Sequence, residues 1–221
     1  MPIRLSHISR LGVSVVKNAV TAAAAVIAVL IGGGCDPVPK HVAVVADSMG
    51  FYDPAVIESE IEASGHTVVR YHTVPGATTW THPDLTPELF APDIDAIVVT
   101  FALNETRHAR GDFGTPMPMS AILGSWNTVK TQAAQQNKCL VWVNTPTAWP
   151  LNSADTAPII AQLNSWTAAN TRVAQWRDPV NSNIWYGGGT WVKDDGFHLQ
   201  AGSAGPHNYG RVIREALNGC G

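Results

Sequence analysis

The stretch His41-Val42-Ala43-Val44-Val45-Ala46-Asp47-Ser48-Met49-Gly50 runs from an apolar segment straight into a polar turn that carries a serine. His41 to Ala46 is valine-rich and free of glycine and proline. It reads as a strand buried on both faces, the kind that parallel sheets contain. A serine directly after such a strand has its hydroxyl projected out of the sheet rather than packed against it.

Apolar strands and helical patterns alternate from residue 41 to the carboxyl end, which predicts βαβ units around a parallel sheet. Asp53-Pro54 marks a helix start, with the aspartate as cap and proline at the first helical position. Ile57 and Ile61 mark its buried face, and Gly65 ends it. Strands are expected at Thr67 to Tyr71, Asp95 to Phe101 and Leu140 to Asn144, with Thr171 to Trp176 as an edge strand. Met119, Ile122, Leu123, Trp126, Val129 and Ala133 fall at helical spacing, as do Ile159, Ile160, Leu163 and Trp166. Tyr209, Val212, Ile213, Ala216 and Leu217 predict a closing amphipathic helix. In open α/β sheets, sites form at the carboxyl ends of strands. The polar positions there are Asp47-Ser48, the Gly76 loop, Asn104-Glu105 and Thr145.

Near the far end stands Asp195-Gly196-Phe197-His198. A serine hydroxyl is a weak nucleophile and needs a base within hydrogen-bond reach, and the base needs a partner that fixes its tautomer. His198 can be that base and Asp195 that partner. The oxyanion formed on attack needs donors, for which the Ser48 and Gly76 backbone N–H groups and the Asn104 side-chain amide are candidates. Taken singly, Ser48 can be a helix cap, and Asn104 and Gly76 turn residues.

The four blocks together resemble the SGNH hydrolases, also called GDSL esterases and lipases. The nucleophile block would be Ala46-Asp47-Ser48. Gly76 would lie in the loop Val74-Pro75-Gly76-Ala77, the asparagine block would be Ala102-Leu103-Asn104-Glu105, and Asp195-Gly196-Phe197-His198 would complete the triad. The resemblance implies a flavodoxin-like, three-layer α/β/α fold. It implies Ser48, Asp195 and His198 as catalytic triad and Ser48, Gly76 and Asn104 as oxyanion hole. The sequence departs from the family pattern at Ala46 and Ala102, where the family has glycine, and at Glu105, where it has aspartate. None of the three removes a catalytic group.

Trp80 and Trp149 follow two of these loops. They are expected either to line a substrate groove or to pack at its rim. The spacing leaves no insertion long enough for a lid, which predicts an open site for short acyl groups. No Cys/His cluster has zinc-ligand spacing, so neither metal nor cofactor is expected.

Residues 1–35 read as a signal peptide. Arg4, Arg10 and Lys17 form a positive region, and Ala19 to Ile31 is apolar apart from Thr21. Thirteen apolar residues fall short of the roughly 20 that span a bilayer. Gly32-Gly33-Gly34-Cys35 is similar to a bacterial lipobox with glycine in place of the usual leucine. Two readings stay open: a lipoprotein tethered to the membrane through lipidated Cys35, and a free secreted protein. Residues 36–40 read as a short linker and 41–221 as the SGNH hydrolase-like domain. In an oxidising compartment Cys139 and Cys220 can pair, the alternative being two unlinked thiols.

The chain has 221 residues, 45% of them hydrophobic, enough for one domain with a substantial core. A net charge of −3 excludes the basic footprint of a nucleic-acid binder. These observations suit a monomeric exported esterase acting on a small-molecule or carbohydrate ester. An acyltransferase working through the same acyl-enzyme is the first alternative. A non-catalytic binding domain that keeps the fold is the second.

Overall fold

The computed structural model describes residues 37–82, 85, 87–145, 155–176, 193 and 198–221. The segment 1–35, Cys35, Trp149 and Asp195 lie outside the described residues. No helix among the described residues is long and apolar enough to cross a membrane.

In chain order the elements are β1 (His41–Ala46), α1 (Ser48–Phe51), α2 (Pro54–Glu62), β2 (Thr67–Thr73) and a 3₁₀ turn at Pro87–Phe90. There follow β3 (Ala96–Val99), α3 (Leu103–Arg110), α4 (Met119–Gln135), β4 (Cys139–Val143), α5 (Ala157–Asn170), β5 (Arg172–Ala174) and α6 (Ala204–Leu217). Among the described residues, the five strands form one sheet in the order β2-β1-β3-β4-β5. Every pairing is parallel.

Each central strand is apolar on both faces, and its alternate residues feed two separate cores. Val42, Val44 and Ala46 of β1 join Val98, Val141, Ile57, Ile61, Tyr209 and Ile213 on the side of α2 and α6. Ala43 and Val45 join Ile97, Val99, Trp142, Ile122, Trp126 and Val129 on the side of α4. A sheet with a core on each face is the expected three-layer α/β/α sandwich. On the α4 face, Trp126, Trp142 and Trp166 pack ring against ring, with centroids 4.3 to 5.4 Å apart. The buried Trp142 indole donates to Phe101 O at 2.9 Å, which satisfies its one polar group. On the other face α6 lies so close to α2 that a Cβ on Gly210 would stand 2.6 Å from Glu60 Cβ and 2.8 Å from Ile57 O.

Cys139 and Cys220 are joined by a disulfide with their Cα atoms 5.9 Å apart. The bridge ties the start of β4 to the residues just after α6.

Two expectations are corrected. Asp53 takes the cap position of α2 but makes no side-chain cap; it has a left-handed backbone (φ 63°). Its carboxylate instead accepts from Gly202 N at 2.9 Å. Leu103–Arg110 forms a helix that the apolar pattern did not signal.

Candidate active site

The chain enters the sheet at β1, adds β2 on one side and then crosses to add β3 on the other. The connections leaving β1 and β3 therefore diverge, and the gap between their carboxyl ends is the topological switch point where α/β sheets bind ligands. Ser48 directly follows β1. Asn104 is the second residue of the helix that follows β3.

The turn after β1 is built by Asp47. Its side chain caps α1 by accepting from Met49 N at 2.9 Å, so Ser48 opens the helix rather than capping it. Gly50 lets that helix fold back on the strand: a Cβ there would meet Ala46 Cβ at 2.5 Å. Tyr71 Oη donates to Gly50 O at 2.9 Å and holds the turn against β2. The Ser48 side chain is largely buried, and among the described residues its hydroxyl makes no hydrogen bond. Its backbone N–H, in the first turn of α1, has no partner one helical turn earlier.

Asp47 also reaches across to the second element. Asn104 Nδ2 donates to Asp47 Oδ2 at 3.3 Å and to Ala77 O at 3.0 Å. An amide nitrogen carries two hydrogens, so both are engaged. An oxyanion seeking Asn104 must compete with one of these acceptors. Burial pushes the Asp47 carboxyl well above the usual carboxylate range. The Met49 N–H opposes that rise, and the like charge of Glu105 adds to it.

Gly76 lies in Val74-Pro75-Gly76-Ala77, where Ala77 N donates to Val74 O at 3.0 Å. Gly76 has φ +82°, and proline followed by a left-handed glycine is the sequence of a type II turn. A side chain at this position would be strained. The loop continues to Thr79, whose N–H donates to Glu105 Oε1 at 2.9 Å. The Glu105 carboxyl is fully buried and pushed up to about 7, first by burial, with the Thr79 N–H lowering it. Among the described residues its Oε2 has no hydrogen-bond partner.

His198 approaches from the chain's late segment. Its imidazole lies 5.1 Å, centroid to centroid, from the ring of Tyr52, the residue that ends α1. Lys193 N donates to His198 O at 2.8 Å, and Lys193 Nζ stands 4.0 Å over the Tyr52 ring. Ser48 and His198 thus flank the same short helix. Trp80 is half-buried, packs against the core on the α4 side of the sheet and meets His108 edge-on at 5.3 Å. His66 bonds Asn218 at 3.0 Å and His207 bonds Glu60 at 3.0 Å, while His82 and His108 pack against Phe101 and Trp80.

A cavity of about 20 Å³ lies beneath Met49, Thr100, Leu103 and Tyr209. It has room for about one water molecule and none for an acyl chain. Larger clefts of about 360 and 440 Å³ lie beside β5 and the start of β4, away from Ser48 and Asn104. Among the described residues no three His, Cys, Asp or Glu side chains converge as metal ligands.

No protein-family model matches the chain, and neither does any curated protein sequence. Solved structures do match. A GDSL-like lipase from Bacteroides thetaiotaomicron is 16% identical, with a TM-score of 0.54, over 91% of this chain and 96% of that one. The chain has the SGNH hydrolase fold. A mutant of an acetyl-xylooligosaccharide esterase from Geobacillus stearothermophilus is 10% identical with a TM-score of 0.58, over 82% of this chain and 96% of that one. The C-terminal catalytic domain of a Streptococcus pneumoniae peptidoglycan O-acetyltransferase is 13% identical with a TM-score of 0.51, covering 81% and 93%. At such identities the likeness is one of backbone. The fold nonetheless accounts for two placements, a polar turn after β1 and an asparagine after β3, since both connections open at the same switch point.

Proposed function

We propose that this chain is a member of the SGNH family and an exported serine esterase that cleaves small acyl esters through an acyl-enzyme. The observation that carries the reading is the junction of the two connections at the switch point. Asp47 holds the Ser48 turn with one carboxylate oxygen and Asn104 with the other. Nucleophile and oxyanion donor are therefore fixed by a single side chain. That is the preorganisation an acyl-transfer site needs.

In this reading Ser48 Oγ attacks the ester carbonyl carbon while its proton passes to a His198 ring nitrogen. The carbonyl oxygen becomes an oxyanion, stabilised by the Ser48 and Gly76 N–H groups and by Asn104 Nδ2 as it gives up one of its resting acceptors. Collapse breaks the bond to the alcohol, which leaves with the proton from His198. Water then attacks the acyl carbon, gives a proton to His198 and releases the acid, and Ser48 recovers its proton. Asp195 holds the imidazole in the required tautomer. The sequence holds no insertion long enough for a lid, which favours acetyl over long chains. The disulfide supports export. Transfer to a sugar or lipid alcohol instead of water is the second reading, favoured by the backbone likeness to an O-acetyltransferase domain.

The test is a panel of 4-nitrophenyl esters from acetyl to palmitoyl. Turnover is expected with acetyl and to fall beyond a few carbons; a preference for long chains would overturn the acyl-size assignment. Adding an alcohol acceptor and analysing the products separates hydrolysis from transfer.

A further inference from the structure

Glu105 stands where burial should have removed an ionisable group. Its side chain is wholly enclosed, and among the described residues Oε2 has no hydrogen-bond partner. A buried carboxyl with an idle oxygen costs stability, so its retention calls for a role outside packing. Its Oε1 supplies one by accepting from Thr79 N at 2.9 Å. Thr79 lies three residues beyond Gly76, in the segment whose Ala77 carbonyl accepts from Asn104 at 3.0 Å. Adjacent residues on α3 thus grip the same segment at two points, Asn104 at Ala77 and Glu105 at Thr79. Thr79 Oγ1 lies 2.6 Å from Ser125 Oγ of α4, which adds a third attachment.

We infer that Glu105 is a positioning residue: it holds the Gly76 segment in register while Asn104 releases Ala77 O to donate to the oxyanion. This rests on the serine-hydrolase reading above. Both Asn104 hydrogens are spoken for at rest. When the one on Ala77 O turns to the oxyanion, that contact is lost, and the segment would be free to drift unless held elsewhere. The tie at Thr79 does not involve the reacting atoms, so it persists through the cycle and keeps the Gly76 N–H aimed. A carboxylate accepts more strongly than a carboxylic acid, so the ionised form of Glu105 makes the firmer tie.

The groups around it fit this role. Asp47, on the turn after β1, feels Glu105 as a like charge. The Gly76 segment presents Thr79 and, near its end, His82, which packs on Phe101 at 5.5 Å. From α4 come uncharged Ser125 and Trp126, the latter a weak stabilising contact for the carboxylate. No described arginine or lysine is among the groups that shift Glu105.

The experiment uses the full chain with 4-nitrophenyl acetate, comparing wild type, Glu105→Gln and Ser48→Ala. Glu105→Gln keeps an acceptor for Thr79 but not the charge. It is expected to lower kcat about 10- to 100-fold with KM within about threefold, as loosened alignment does. The acid limb of the kcat–pH profile should be steeper in wild type than in Glu105→Gln, the difference reporting Glu105. A purely structural role would leave that slope unchanged. Should Glu105→Gln not fold, Glu105→Asp carries the test. It keeps the charge but falls short of Thr79 by one methylene, and a tenfold or larger loss of kcat is expected. Wild-type kcat and slope in Glu105→Gln, or wild-type kcat in Glu105→Asp, overturns the inference while leaving the serine mechanism intact. Turnover that survives in Ser48→Ala instead overturns the serine mechanism, and the role of Glu105 with it.

Discussion

Asp47 ties Asn104 to the Ser48 turn. Asn104 gives one hydrogen to Asp47 and one to Ala77 O. In the proposed mechanism Asn104→Ala removes an oxyanion donor, so kcat is expected to fall about 10²- to 10³-fold with little change in KM. Steady-state kinetics on the acetyl ester decide this, and an unchanged kcat would reduce Asn104 to a turn residue. The placement of Ser48 and Asn104 at the carboxyl ends of β1 and β3 was legible in the sequence, because a polar residue directly after an apolar strand is conspicuous. The engagement of both Asn104 hydrogens was not legible. It depends on Ala77 O, a backbone atom 27 positions away, arriving at the same point. The tie from Glu105 to Thr79 N was hidden for the same reason, although a glutamate inside a strand-end block was the available hint.

At the scale of elements, the strands and the helices with apolar stripes could be read from periodicity. The helix Leu103–Arg110 could not. Its sequence Leu-Asn-Glu-Thr-Arg-His-Ala-Arg carries only two apolar residues, and its buried first turn consists of Leu103, Asn104, Glu105 and Thr106. The helix is held by its polar contacts to the Gly76 segment, not by a hydrophobic face, so no pattern announces it. Asp53 misled in the other direction, since a cap residue followed by proline is a sound signal, yet its carboxylate is taken by the tertiary bond to Gly202. The seam between α2 and α6 gives a prediction at this scale. Gly210→Ala gains about 1 kcal/mol of helix propensity but drives a methyl into Ile57 O and Glu60 Cβ. Overpacking against backbone costs about 1–3 kcal/mol, so the clash should win. Chemical denaturation is expected to show net destabilisation of roughly 1–2 kcal/mol; a stabilised variant would mean that the two helices part easily.

For the molecule as a whole, buried acids and a late crosslink govern stability. Glu105 is pushed from 4.5 to about 7 by burial, so between those values the folded protein holds a proton that the unfolded chain has lost. Stability from this group is complete below about pH 4.5, drains as pH rises to about 7 and does not return above it. The shift corresponds to roughly 3 kcal/mol. Glu105→Gln should therefore gain stability relative to wild type at pH 8 compared with pH 5, as measured by denaturant unfolding at both values. An equal difference at the two pH values would show that the carboxyl is not held high. The Cys139–Cys220 bridge spans 81 positions. The chain-entropy model gives a loss on the order of 4 kcal/mol on reduction, less any strain relieved. Unfolding with and without reductant measures this, and coincident curves would contradict it. The three-layer plan followed from the alternation of strands and helices, because burying both faces of a parallel sheet leaves few arrangements.

The claim on which the rest depends is that Ser48 carries the acyl group. Wild type and Ser48→Ala, each shown to be folded by its thermal melt, should be assayed for hydrolysis of 4-nitrophenyl acetate. They should also be treated with a fluorophosphonate and mapped by mass spectrometry. An adduct on Ser48 is expected, with a loss of kcat on the order of 10³-fold or more in the variant. Substantial turnover in folded Ser48→Ala, or an adduct on another residue of the wild type with Ser48 unmodified, would contradict that claim.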